Sequence, residues 1–354
     1  MTNRFPAVLC FVFLSAFAAE RAQAAASTTF VASYGADANG TYNCGRATPC
    51  RTLAGALAVT SAGGEVIVLD SEEYGPAQIM QSVSITAPDG VYAGVKVVNG
   101  QGIGIGYTSG PVTLTGLTFE GPGLSGSRRG AEGLTVANSK GPVVVQRCNF
   151  SGFFPSPTGT PGGGNAIYVS GSTSTTGRVQ MQVIDTVIHD GYVGIWVEGS
   201  VTASISHVKL LNMSVAGLRV WDAGWGEADV SVSDSEWSAP SLAGGNAFEL
   251  AAYSASTQLY IDHTVMTGGG RGVYAVSSGA LVYVTVTNSL LSKIGVGLIT
   301  EGPAAEITFS GSTFNANANA ASNVNGGTLI TTGNNLFIGN GSNVAGSLTR
   351  VATQ

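Results

Sequence analysis

Charge is scarce in this sequence. Of 354 residues only 10% are Asp, Glu, Lys or Arg, and they leave a net charge of −6. Nucleic-acid binding rests on clustered Lys and Arg, so a nucleic-acid partner is not expected. Helical periodicity is scarce as well: residues 51–61 are the one candidate, with Leu53, Ala56, Leu57 and Val59 on an apolar stripe. No segment beyond the N-terminus is apolar for long enough to span a bilayer, which takes about 20 residues. The 51 glycines follow no Gly-X-Y period, which excludes collagen. A Walker loop, a nucleophile elbow and zinc-ligand spacing are lacking, and the glycine string at 102–106 opens no helix. No metal site is expected from these spacings.

Cysteine is rare too, at 4 residues. Cys10 lies in a leader: Arg4 supplies a positive start, residues 5–19 an apolar run, and Ala22-Gln23-Ala24 a small-residue cleavage site. Residues 1–24 therefore read as a secretory signal, and the chain as secreted or periplasmic, with the cell surface as a further location to consider and no membrane span expected. Cys44 and Cys50 share a polar loop with Pro49. An oxidising compartment favours their pairing, two free thiols being the alternative.

Repetition is what the sequence has in abundance. One six-residue phrase recurs at 114–119, 145–150, 183–188, 205–210, 232–237, 261–266, 286–291 and 309–314. Each copy reads aliphatic or aromatic, any, turn-like, small, any, large apolar. Starts 22 to 38 residues apart mark a solenoid. A second phrase, Gly or Ala then apolar-any-apolar, falls between the copies at 133–136, 166–169, 194–197, 217–220, 247–250 and 272–275, more weakly at 297–300. Both alternate with period two, so each repeat holds at least two short strands joined by Gly, Asn, Asp and Ser turns. Repeats that run one way pair in parallel, and chirality favours a right-handed path. The expected fold is all-β, a right-handed parallel β-helix.

Stacking the copies builds columns. Phe119, Phe150, Ile188, Leu210, Trp237, Met266, Leu291 and Phe314 form one that is large and apolar throughout. Leu117, Cys148, Thr186, Val208, Ser235, Thr264, Ser289 and Ser312 form a mostly small one. Uniform size by column suits a close-packed interior, and it makes Cys148 a core thiol. Residues 25–62 are expected to form an N-terminal loop and a helix capping the open end, 63–340 the β-helix, and 341–354 a tail. Residues 336–338 are expected to cover the last open core.

The entry Arg51-Thr52-Leu53, Ala56, residues 63–68 and Tyr74-Gly75, followed by the repeats, resembles bacterial right-handed parallel β-helix repeat proteins of the pectin lyase-like superfamily. The resemblance covers about residues 30–340. It implies a polysaccharide partner, as for pectate lyases and polygalacturonases, and leaves calcium as the one cofactor to consider. Leu259-Tyr260-Ile261-Asp262-His263 is similar to the apolar-any-Ile-Asp-His stretch of pectate lyases. The calcium carboxylate cluster and partnered Arg base of the lyases are not evident. The Asn-Thr-Asp, paired-Asp and His-Gly strings of polygalacturonases are absent.

Outward positions of the second phrase form two further columns. Thr135, Tyr168, Trp196, Arg219, Glu249, Tyr274 and Ile299 make one; Ala137, Ser170, Glu198, Trp221, Ala251, Val276 and Glu301 make the other. Tyr168, Trp196, Trp221 and Tyr274 are the candidate binding residues, since aromatic faces beside charged groups suit sugar rings. Glu198, Arg219 and Glu249 are the candidate catalytic residues, two carboxylates at a plausible glycosidase separation. The bland reading is outward aromatics packing along an exposed ladder and an Arg219–Glu249 surface ion pair. Loops at 120–132, 151–165 and 222–229 would wall this sheet. A further column, Gly116, Arg147, Asp185, His207, Asp234, His263, Asn288 and Gly311, reads first as turn residues. Two functions compete: a monomeric protein that binds, with or without cleaving, a polysaccharide or cell-envelope glycan; and a non-catalytic structural or adhesive envelope protein.

Overall fold

A computed structural model describes residues 25–123, 131–155, 163–172, 177–222, 224, 226–239 and 245–351. Residues 1–24, expected to form a leader, lie outside them, as do parts of all three flanking loops.

The chain winds into a β-helix with three strands per coil. Among the described residues the first face is a ladder of 13 strands, from Ala26–Val31 to Thr349–Arg350. Its neighbours pair in parallel, as Val143–Gln146 does with Val112–Thr115 before it and Val179–Ile184 after it. The second face holds short strands such as Asn149–Ser151 and Glu236–Ser238, and the third longer ones such as Asn165–Gly171 and Asn246–Ala252. In two coils the chain runs straight from the second face into the third, as Val187–Gly199 and Lys209–Trp221, each of 13 residues. These joins merge the two faces into one 20-stranded sheet.

The six-residue phrase turns out to contain a corner. Its third position has positive φ in every copy: 74° at Gly116, 53° at Arg147, 49° at Asp185, 54° at His207, 49° at Asp234, 46° at His263, 48° at Asn288 and 60° at Gly311. That left-handed residue swings the chain from the first face to the second while the next residue still points inward. Asn, Asp and His tolerate the conformation better than most side chains, which explains the composition of the turn column. The at least two strands expected per repeat are three, the third hidden in the sequence because in-out alternation passes through the bend almost unbroken.

Both inward columns stack in register. Phe119 pairs with Phe150, Phe150 with Ile188, Leu210 with Trp237 and Leu291 with Phe314, all buried. The Phe119 and Phe150 rings lie 4.3 Å apart and only 3° from parallel. In the small column, hydroxyls solve a problem made by the corner, where backbone amides lose their ladder partners. Ser289 Oγ donates to Thr287 O at 2.7 Å and accepts from Thr264 N in the preceding coil at 3.1 Å. Ser312 repeats this one coil later, accepting from Ser289 N, as does Ser235 two coils earlier towards Val208 N. Cys148 is free and fully enclosed; burial pushes its thiol up to about 12.

The ends depart from expectation in extent. The helix is Leu53–Leu57, capped by the Thr52 hydroxyl on Gly55 N at 3.0 Å, rather than the whole of 51–61. Thr60 closes it, donating to Ala56 O at 2.7 Å, and opens strand Thr60–Val68. Leu53, Ala56 and Leu57 pack on the first coils as a cap should. The ladder extends beyond 63–340 on both sides, since Ala26–Val31, Ser342–Ala345 and Thr349–Arg350 are strands within it. Cys44 and Cys50 form a disulfide. Phe337 stacks on Phe314 at 5.0 Å and covers the last core, whereas Leu336 and Ile338 face solvent. Among the described residues no helix is long and apolar enough to cross a membrane.

Candidate functional site

The second phrase forms the third face. Its inward residues Leu134, Ile167, Ile195, Leu218, Phe248 and Val273 are buried, which turns the intervening residues outward. The opening Gly or Ala lies against the next coil: a Cβ on Gly194 would stand 2.5 Å from the Gly217 carbonyl oxygen. Register puts the two outward columns together as the spacing implied. Tyr168 pairs with Trp196, Trp196 with Arg219, Arg219 with Glu249 and Glu249 with Tyr274. In the second column Glu198 pairs with Trp221 and Trp221 with Ala251.

Arg219 is the centre of the face. Its guanidinium carbon lies 5.2 Å from the Trp196 ring centroid and 5.6 Å from that of Trp221, within cation–π range of both. Nη2 donates to Glu249 Oε2 at 2.9 Å, and Asn246 Nδ2 donates to the same oxygen at 2.9 Å. The two charged side chains are only 14% and 13% exposed, so the surface ion pair expected from sequence is a largely covered one. Taking such a pair from water costs most of what its attraction returns, and here the flanking rings do the covering. Among the described residues Arg219 Nε and Trp196 Nε1 have no hydrogen-bond partner.

The remaining carboxylates are engaged by phenols. Tyr168 donates to Glu198, and Tyr274 to Glu301 at 2.5 Å. Burial, then the Glu198 carboxylate, raises the Tyr168 phenol above its ordinary value; burial and Glu301 push Tyr274 up to about 12. Arg271 lies over the Tyr274 ring at 4.3 Å. The candidate catalytic carboxylates Glu198 and Glu249 thus share the face, each with a partner of its own.

Two residues of this face escaped the sequence columns. Glu132 accepts from Thr135 Oγ1 at 2.7 Å and Asn165 Nδ2 at 3.3 Å. Burial raises its carboxyl despite those donors, and the charge of Glu198 adds to the rise. Its only sequence signal is an acidic residue directly before the glycine that opens an apolar phrase. Tyr253 follows a strand end, outside any column, and stacks on Trp221 at 5.6 Å and 28°. Trp196 lies 6.1 Å from Tyr168 and 6.1 Å from Trp221, so the four rings form a continuous strip.

Elsewhere the turn column serves the corners. His263 Nδ1 pairs with Asp262 Oδ2 at 2.6 Å on the exposed bend. Among the described residues no group of three or more His, Cys, Asp and Glu side chains is arranged to hold a metal ion. A hollow of about 670 Å³, lined by Ala54, Leu57, Ile79, Met80 and neighbours, involves none of the strip residues.

A family model described as right handed beta helix region matches residues 101–340. Among solved structures, the pectate lyase Pel9A superposes with a TM-score of 0.58, covering 84% of this chain and 77% of its own at 14% identity. A polygalacturonase from Erwinia carotovora ssp. carotovora gives 0.54, covering 92% and 95% at 12% identity. Likeness at such identities is one of fold. No curated protein sequence matches the chain. Parallel ladders on three faces, a left-handed residue at the first corner of all eight repeat copies and the match over 101–340 agree, and the chain belongs to the right-handed β-helix family, with the pectin lyase-like fold.

Proposed function

We propose that this chain is a secreted or periplasmic monomer that binds a polysaccharide along its third face, through Tyr168, Trp196, Trp221 and Tyr274. The observation that carries the reading is the Arg219 guanidinium held between Trp196 and Trp221 and paired with Glu249. Such an arrangement keeps two large rings rigid, with polar groups at their edges, as a ligand of alternating apolar ring faces and hydroxyls requires. The structural relatives are named a pectate lyase and a polygalacturonase, which supports a glycan partner. The Cys44–Cys50 disulfide and the leader-like residues 1–24 support export.

Any cleavage of the bound glycan is assigned to Glu198, Arg219 and Glu249. One observation favours the non-catalytic alternative: Glu198 is taken by Tyr168, and Glu249 by Arg219 and Asn246. Binding is proposed to need no calcium, so EDTA should leave it unchanged.

Affinity gels cast with polygalacturonate, alginate, xylan or mixed-linkage β-glucan test the reading. At least one should retard the parent, and Trp196→Ala should weaken that retention about tenfold, the loss of one hot-spot ring. Unsaturated products or new reducing ends, lost in Glu249→Ala, would make the protein an enzyme. Unaltered mobility of parent and variants in every gel would leave the structural role standing.

A further inference from the structure

Asp222 is fully buried, no cation among the described residues pairs with it, and the binding strip as drawn above does not use it. Its oxygens instead accept from the amides of Gly224 at 2.6 Å, Tyr253 at 3.2 Å, Ser254 at 2.6 Å and Ala255 at 2.5 Å, with the Ser254 hydroxyl at 3.1 Å. Burial alone would raise its carboxyl, but the Ala255, Ser254 and Gly224 amides outweigh it and bring the group below its ordinary value. The turn after strand Asn246–Ala252 is thus wrapped around a buried anion lying directly after the strand that carries Trp221.

The product of that wrapping is the position of Tyr253. Its ring stacks on Trp221 yet stays 48% exposed. It also lies two residues beyond Ala251, the register partner of Trp221, just as Trp221 lies two residues along from Arg219, the partner of Trp196. The strip Tyr168–Trp196–Trp221–Tyr253 climbs four successive coils, straight from Tyr168 to its register partner Trp196 and then advancing two residues along the strands at each of the next two steps. A line of rings with centroid steps of 6.1, 6.1 and 5.6 Å, oblique from Trp196 onward, has the form of a platform for an extended chain.

We propose that Tyr253 is a fifth sugar-stacking residue, the end of an oblique track for an extended oligosaccharide, and that Asp222 is the positioning residue that sets its ring. The proposal rests on glycan binding at the third face. It adds that the ligand crosses the coils at a slant, and that mono- or disaccharides fill only part of the track.

The same four gels test it with Tyr253→Ala, Tyr253→Phe, Asp222→Asn and the double variant Asp222→Asn/Tyr253→Ala beside Trp196→Ala. Tyr253→Ala should weaken retention about five- to tenfold, and Tyr253→Phe, which keeps the ring face, should match the parent. Asp222→Asn should lose as much as Tyr253→Ala, and the double variant no more than either, because residues acting through one another do not add. Parent-like retention by Tyr253→Ala, with Trp196→Ala impaired, would overturn the track and spare the binding face. Losses that add in the double variant would overturn the positioning role of Asp222. No retardation of the parent, or none lost in Trp196→Ala, would sink both readings.

Discussion

Asp262 shows how much one exposed residue depends on the next coil. Thr287 Oγ1 donates to its Oδ1 at 2.6 Å and Asn288 Nδ2 to the same atom at 2.9 Å, while His263 occupies Oδ2. The Thr287 bond is the largest influence, and with Asn288 and His263 it outweighs burial and lowers the carboxyl from 3.8 to about 2. A folded pKa below the unfolded one stabilises the fold above the higher value, and that stabilisation is lost as pH falls towards the lower. With the side chain 45% exposed, the contribution is small. Between pH 3.8 and about 2 the melting temperature of Asp262→Asn should fall less steeply than the parent's. Parallel slopes would show that this corner adds nothing. The Asp262-His263 pair is legible in the sequence because it is local. Its partners Thr287 and Asn288 are not, since only stacking brings them near.

At the scale of the element, the hydroxyl ladder inside the first corner turns a run of buried polar residues into a structural requirement. Ser289→Ala would strand Thr264 N–H in the interior and remove a donor from Thr287 O, a cost of about 1–3 kcal/mol. Ser289→Thr should cost less, since Thr186 and Thr264 occupy the same column. Urea unfolding measures both; a loss in Ser289→Ala of only a few tenths of a kcal/mol would mean that water satisfies the amide. The sequence displayed this column as small and mixed in polarity. It did not show why Ser and Thr recur there, because the corner that frees the amides is a backbone event hidden within one apparent strand.

At the scale of the whole molecule the described coils form a rod: their 13 parallel strands at a spacing of about 4.8 Å make the first face about 60 Å long. A stack of this kind gains stability from neighbouring coils, so its ends are where it is vulnerable. The N-terminal end is covered by the Leu53–Leu57 helix, with Leu53 fully buried. Leu53→Asp should lift this cap and expose strand edges to other copies. Size-exclusion chromatography should then show larger species while the far-ultraviolet circular dichroism remains that of β-structure. Elution like the parent's would show that the first coil protects its own edge.

The repeat phrases alone determined the parallel stack, its inward columns and the outward pairing of Tyr168, Trp196, Arg219, Glu249 and Tyr274, because a periodic chain in register converts spacing into vertical contact. The short distance between Cys44 and Cys50 likewise made their pairing readable. Tertiary structure decided the rest: the third strand in each coil, the enclosure of Arg219, the raised Glu132 and the Tyr253 turn gathered around Asp222. These depend on a left-handed corner and on non-periodic turns, where burial and hydrogen bonding follow from what surrounds a residue in space, which its place in a repeat does not state.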